Sequence, residues 1–119
     1  MREAKDTDFY IQLPDVGVFR FGRRTYGDRL SIRTEYLRLV REFGDSDTSL
    51  SIYASMIASH RILCVEAPDG WEDLTGLDMT SPNDPEEKLF ELYELLKAKE
   101  DSFRRGNNKV SQEAGQSAS

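Results

Sequence analysis

A chain of 119 residues is one domain's worth of sequence, since domains run to about 100–200 residues. Hydrophobic residues make up 38% and charged residues 32%, against about 45–50% and 25% in ordinary globular domains, so the core is small, part of the chain is unstructured, or a partner completes it. The net charge of −6 disfavours a nucleic-acid surface, the single cysteine excludes an intramolecular disulfide framework, and no stretch approaches the ~18 apolar residues of a membrane-spanning helix.

Residues 1–7 are polar and are expected to be a flexible, frayed segment. Without an apolar run they carry no signal sequence, which fits a soluble protein of a reducing cytosol. Phe9-Tyr10-Ile11-Gln12-Leu13 reads as a strand. Pro14-Asp15-Val16-Gly17 supplies a turn, with proline presetting φ and glycine open to positive φ. Val18-Phe19-Arg20-Phe21 is the returning strand, its alternation placing Phe19 and Phe21 on one face and Val18 and Arg20 on the other. A lone hairpin is marginal in water, so the aromatic face is expected to lie on a helix.

Thr25 is placed to cap a helix, with Asp28 three residues on, near the helix's positive end. The helix is expected over Tyr26–Phe43, stopping at Gly44. At 100° per residue, Tyr26, Leu30, Ile32, Tyr36, Leu37, Leu39, Val40 and Phe43 fill roughly half its circumference. That is wider than one small core requires. Arg29 and Arg33 fall inside the arc, where an unpaired charge must snorkel, find a carboxylate or meet a partner.

A second helix starts at Asp47 or Thr48 and carries Leu50, Tyr53, Ala54, Met56, Ile57 and Ala58. Its many small residues permit close packing on the first helix. The next segment, residues 61–67, reads as helix or strand, with its β-branched residues and the Pro68-Asp69-Gly70 stop favouring a strand. A loop follows from Gly70 to Asn83, with one short helical turn around Trp71–Leu74. Asp84-Pro85-Glu86-Glu87 then announces a third helix: a cap, a proline at the first helical position and a capping-box glutamate. That helix carries Leu89, Phe90, Leu92, Tyr93, Leu95, Leu96 and Phe103 and is expected to end near Gly106. Residues 107–119, rich in Ser, Gln, Asn and Gly, are expected to form a disordered tail. The expected fold is α+β and mainly helical: an N-terminal hairpin packed on about three helices, in a single domain over residues 8–106.

Charge is uneven. Residues 1–43 hold nine Lys/Arg against seven Asp/Glu, residues 44–119 seven against fifteen, and seven arginines lie between Arg20 and Arg41. Such asymmetry suits a nucleic-acid surface, two halves that pair internally, or opposite faces that stack between subunits. Chemistry for catalysis is sparse. His60, the one histidine, sits among apolar residues as a structural histidine does, and Cys64 lies between Leu63 and Val65 as a small apolar residue. Asp45, Asp47, Asp69 and Asp73 read as loop and cap residues. No metal-ligand spacing, cofactor motif or phosphate loop occurs, and the reading is of a non-enzymatic binding protein without cofactor or metal.

The order of motifs resembles the small tail assembly chaperones of long-tailed, non-contractile bacteriophages. The matching residues are Val16-Gly17-Val18-Phe19-Arg20-Phe21-Gly22-Arg23-Arg24-Thr25, then Asp28, Glu35-Tyr36 and Arg38-Leu39. Ala67-Pro68-Asp69-Gly70-Trp71 and Glu100-Asp101-Ser102-Phe103-Arg104-Arg105-Gly106 complete the set, which spans residues 9–106. The resemblance implies a cytoplasmic assembly factor of the infected host cell. It would bind the tape measure protein, and tail tube subunits, while the tail polymerises, with self-association into a homo-oligomer and no membrane role. The residues assigned to partner binding are Arg23, Arg24, Arg29, Arg33, Tyr36 and Trp71. Two other classes compete: a structural head–tail connector or tail completion protein, and a small nucleic-acid-binding regulator using Arg23, Arg24, Arg33, Arg38 and Arg41 on phosphates.

Overall fold

The computed structural model describes residues 2–43 and 48–118, with side chains described over 2–43 and 49–105. The fold is α+β and mainly helical. Strand β1 (Phe9–Leu13) pairs antiparallel with β2 (Gly17–Phe21), and β2 pairs antiparallel with β3 (Cys64–Glu66), giving a sheet of order β1-β2-β3. Helices α1 (Tyr26–Phe43) and α2 (Thr48–Leu63) lie between β2 and β3, and α3 (Pro85–Ala118) follows a 3₁₀ turn at Leu74–Gly76.

The hairpin turns as its residues dictate. Val16 N–H donates to the Leu13 carbonyl at 3.1 Å, Pro14 holds the first turn position, and Asp15 takes φ 66°. Gly17 follows at φ 144°, where a Cβ would come within 2.8 Å of Pro68 Cγ. The loop after β3 therefore packs on the hairpin through a glycine that no side chain can replace without strain. Phe9, Ile11 and Leu13 alternate inward along β1, opposite Phe19 and Phe21 of β2. Burying each of these side chains stabilises the fold by about 1.5–3 kcal/mol.

The inward face is covered as a half-apolar sheet requires. Phe9 meets Phe103 of α3 edge-on at 5.1 Å, and Phe19 meets Trp71 edge-on at 5.7 Å. Ile32, Leu39 and Val40 of α1, Ala54 and Ala58 of α2, and Leu92 and Leu96 of α3 complete one core. Ala54 and Ala58 bring small side chains to this core, and α2 packs against α1. Met56, Leu74 and Leu89 form a smaller cluster beside it.

Four boundaries depart from the sequence reading. Residues 61–63 continue α2, and only Cys64–Glu66 form the strand. The switch is enforced by β2: Gly22 N–H donates to the Leu63 carbonyl at 2.9 Å, and Phe21 and Arg20 pair with Cys64 and Glu66 across an irregular register. The short turn expected at Trp71–Leu74 lies later, at Leu74–Gly76, with Asp73 at its N-cap. The N-terminal segment expected to fray is tied down, because Arg2 donates to Asp28 at 2.7 Å and Lys5 N–H donates to Asp8 at 2.8 Å. Helix α3 runs past its expected end near Gly106, through Ala118; a glycine costs a helix only about 1 kcal/mol relative to alanine, and no proline follows it. The expected stop at Gly44, the Asp45 and Asp47 assignments and the packing of the 107–119 tail lie outside the described residues.

Candidate functional site

Local sequence fixes where α1 begins. Thr25 Oγ1 accepts the Asp28 N–H at 3.1 Å while Asp28 accepts the Thr25 N–H at 2.9 Å, a reciprocal capping box. The Arg2 guanidinium and both Thr25 bonds hold the Asp28 carboxyl below the usual range, against the opposing effect of its partial burial. With its start fixed, α1 turns only part of its apolar arc inward. Ile32, Leu39 and Val40 are buried and Tyr36 is half-buried, whereas Tyr26 is 68% exposed and Leu30 57%. Leu37 and Phe43 are exposed as well.

The exposed portion is not scattered. Tyr26 and Leu30, with Ile32 and Tyr36, form one wall of a groove of about 740 Å³ between the first halves of α1 and α2. Ile52, 47% exposed, stands on the α2 wall with the small Ser51 and Ser55. Large exposed apolar side chains gathered in one concavity mark a binding surface, where the same residues spread singly would mean nothing. Arg29 and Arg33 edge the groove, and the Arg33 guanidinium lies 5.6 Å from the centre of the Tyr36 ring. Among the described residues, neither arginine forms an ion pair.

Arg29 also belongs to a second cleft, of about 710 Å³, between the start of α1 and α3. Tyr93 and Leu96 line it with Arg24, Lys97, Glu100 and Arg104. Arg24 is committed there to a two-pronged pair with Glu100, at 3.0 and 3.1 Å.

The sequence-assigned residues thus divide. Arg29, Arg33 and Tyr36 share the groove, and Arg24 faces the adjoining cleft. Arg23 lies instead 3.8 Å over the Phe103 ring, where it covers the core's edge. Trp71 is placed elsewhere: half-buried against Phe19, its N–H bonded to the Pro68 carbonyl, it lines a separate cleft with Asp15 and Val16. Tyr26, Leu30 and Ile52 were not assigned to the site. The surplus width of the apolar arc was the available signal for the first two; Ile52 had none.

His60, Cys64 and Asp73 each have a partner within the fold. His60 is buried edge-on to Phe19 and Phe21, with Nε2 2.8 Å from the Trp71 carbonyl oxygen. Burial lowers its pKa, so the ring is neutral and Nε2–H donates to that carbonyl. Burial pushes the Cys64 thiol up to about 12, and Sγ–H lies 3.4 Å from the Glu66 carbonyl oxygen. Asp73, assigned to a loop, accepts two bonds from Arg61 and one from Thr75. Among the described residues no group of three His, Cys, Asp or Glu side chains is placed to hold a metal ion. No described helix is long and apolar enough to cross a membrane. Comparison of the chain with family models, with curated proteins and with solved structures returns no match.

Proposed function

We propose that this chain is a tail assembly chaperone of the long-tailed, non-contractile phage type. It is a non-enzymatic protein that binds the tape measure protein, with tail tube subunits as further partners, in the cytoplasm of the infected host. The observation that carries this reading is the α1–α2 groove, with Tyr26, Leu30 and Ile52 exposed along an arginine rim. A groove between two helices is a seat for a third, read by apolar side chains one and two turns apart. The open shape matters for a transient partner. Half-exposed contacts gain less from burial than core contacts do, so the bound helix is held yet can be surrendered to a growing tube. The order of motifs over residues 9–106 supplies the second support, and it names the partner class that the groove alone does not.

Co-expression with a tape measure protein, followed by pull-down and size-exclusion chromatography, tests the proposal. A soluble complex that is lost in the Leu30→Ser, Ile52→Ser double variant is expected. An insoluble tape measure protein, with this chain alone forming a closed ring, would instead indicate a structural connector.

A further inference from the structure

We infer that the helix this groove takes is acidic along one flank. The inference rests on the reading that the groove seats a helix, and adds the charge of that helix. Arg29 lines both the apolar groove and the adjoining cleft, so the two concavities meet at one residue. Arg29, Arg33 and Lys97 line this surface, and among the described residues none of them forms an ion pair. Lys5, Arg23, Arg41, Lys99 and Arg105 also form no ion pair among the described residues, but none of them lines the apolar groove, as Arg29 and Arg33 do. Arg2, Arg20, Arg24, Arg38, Arg61 and Lys88 each reach a carboxylate within 4 Å. In a chain of net charge −6, acids are plentiful. Two arginines left without them beside exposed apolar side chains present unspent positive potential where a partner would land, while Lys97 shares its cleft with Glu100 and Asp101.

The chemistry selects among occupants. Leu30, Ile32 and Ile52 need aliphatic partners, which a phosphodiester backbone does not offer, and the chain's overall negative charge repels a polyanion. A second copy has acidic residues on α3, but Leu89, Leu92 and Leu96 of that helix are already buried in its own core. What fits is a foreign amphipathic helix. It would carry apolar residues at i, i+4 and i+7 for the groove, and Asp or Glu on the flank turned towards Arg29, Arg33 and Lys97.

Three fluorescent synthetic helices of about 20 residues, long enough to span about 30 Å, test this with the full chain by anisotropy. They share one apolar stripe and carry Glu, Gln or Lys on the flank. The Glu helix is expected to bind at least about fivefold more tightly than the Gln helix, and the Lys helix most weakly, with the spread narrowing as salt rises. In the Arg29→Gln, Arg33→Gln variant, whose exposed substitutions leave the circular dichroism unchanged, the Glu and Gln helices should bind alike. Equal binding of all three helices to the unsubstituted chain would overturn the acidic flank and leave the groove reading standing. Failure of all three would overturn both. Tighter binding of a single-stranded oligonucleotide than of the Glu helix would also overturn the inference, as would a dimer that Leu30→Glu makes monomeric.

Discussion

Arg61 and Asp73 are joined by two N–H···O bonds, at 3.0 and 3.1 Å, and the same guanidinium donates to Glu35 at 2.8 Å. One side chain near the end of α2 therefore fastens both α1 and the loop that carries Trp71. Glu35 is shared with Arg38, which also reaches Glu42, so removing Arg61 leaves Glu35 one partner and Asp73 only its Thr75 bond. Arg61→Ala should lower stability by about 1–2 kcal/mol, the scale of charge-assisted bonds at partly solvated positions. Urea denaturation of the Arg61→Ala and Asp73→Ala variants and their double should give a positive coupling of about 0.5–1 kcal/mol. Additive losses would mean that the pair contributes nothing beyond its separate parts.

Thr25→Ala removes one arm of the capping box and should cost about 0.5–2 kcal/mol. Thr25→Ser keeps the oxygen and should cost little. Because Tyr26 opens α1 and also lines the groove, the alanine variant should fray the groove's near end. Hydrogen exchange at the amides of Gly27 and Asp28 should rise in Thr25→Ala and stay near the parent rate in Thr25→Ser.

The same cap explains what could be read without coordinates. Thr25 and Asp28 fix the start of α1 at Tyr26 through contacts a few residues apart, and that start is observed. The inward alternation of Phe19 and Phe21 is likewise a property of one strand. The α2–β3 boundary is not local, because it depends on Gly22 reaching the Leu63 carbonyl from a strand about 40 residues earlier. The place of Trp71, in a cleft apart from the groove, was hidden for a related reason: nothing beside it in sequence tells that its ring meets Phe19. The groove was half legible. A surplus of apolar residues on α1 is visible in the sequence, but which of them stay exposed depends on how the helix is rotated against α2.

Acid should destabilise the fold in two stages. Folded His60 binds its proton less readily than an unfolded histidine, whose ordinary value is 6.5, because burial penalises the charged ring. Below about pH 6.5 the unfolded chain therefore takes up this proton first, and stability falls with pH until the folded ring protonates too. Asp28, Glu35 and Asp73 are also held below their ordinary values of 3.8, 4.5 and 3.8. Their contribution is fully present above the unfolded values and is lost as pH falls through the folded ones. Denaturation midpoints between pH 7.5 and 5.5 should decline in the parent chain. In His60→Gln, although less stable throughout, they should stay flat over that range. A decline of equal slope in both would assign the first stage to another group.

Exposed apolar residues maintained for binding should contribute little to folding, and the groove lends itself to that separation. Leu30 and Ile52 are 57% and 47% exposed, so about half of what Leu30→Ser and Ile52→Ser remove already faces water, and each should shift stability by no more than about 1 kcal/mol. Phe19 is wholly buried, and Phe19→Ala should cost about 3–5 kcal/mol through lost burial and a residual cavity. Leu30→Ser and Ile52→Ser should nonetheless each weaken capture of an amphipathic helix, since a bound helix would bury what solvent now touches. Stability from urea denaturation and affinity from anisotropy, measured on the same variants, separate the two roles. If both serine variants lost several kcal/mol of stability, these side chains would belong to the core, and the groove would be a gap in packing with no seat for a partner.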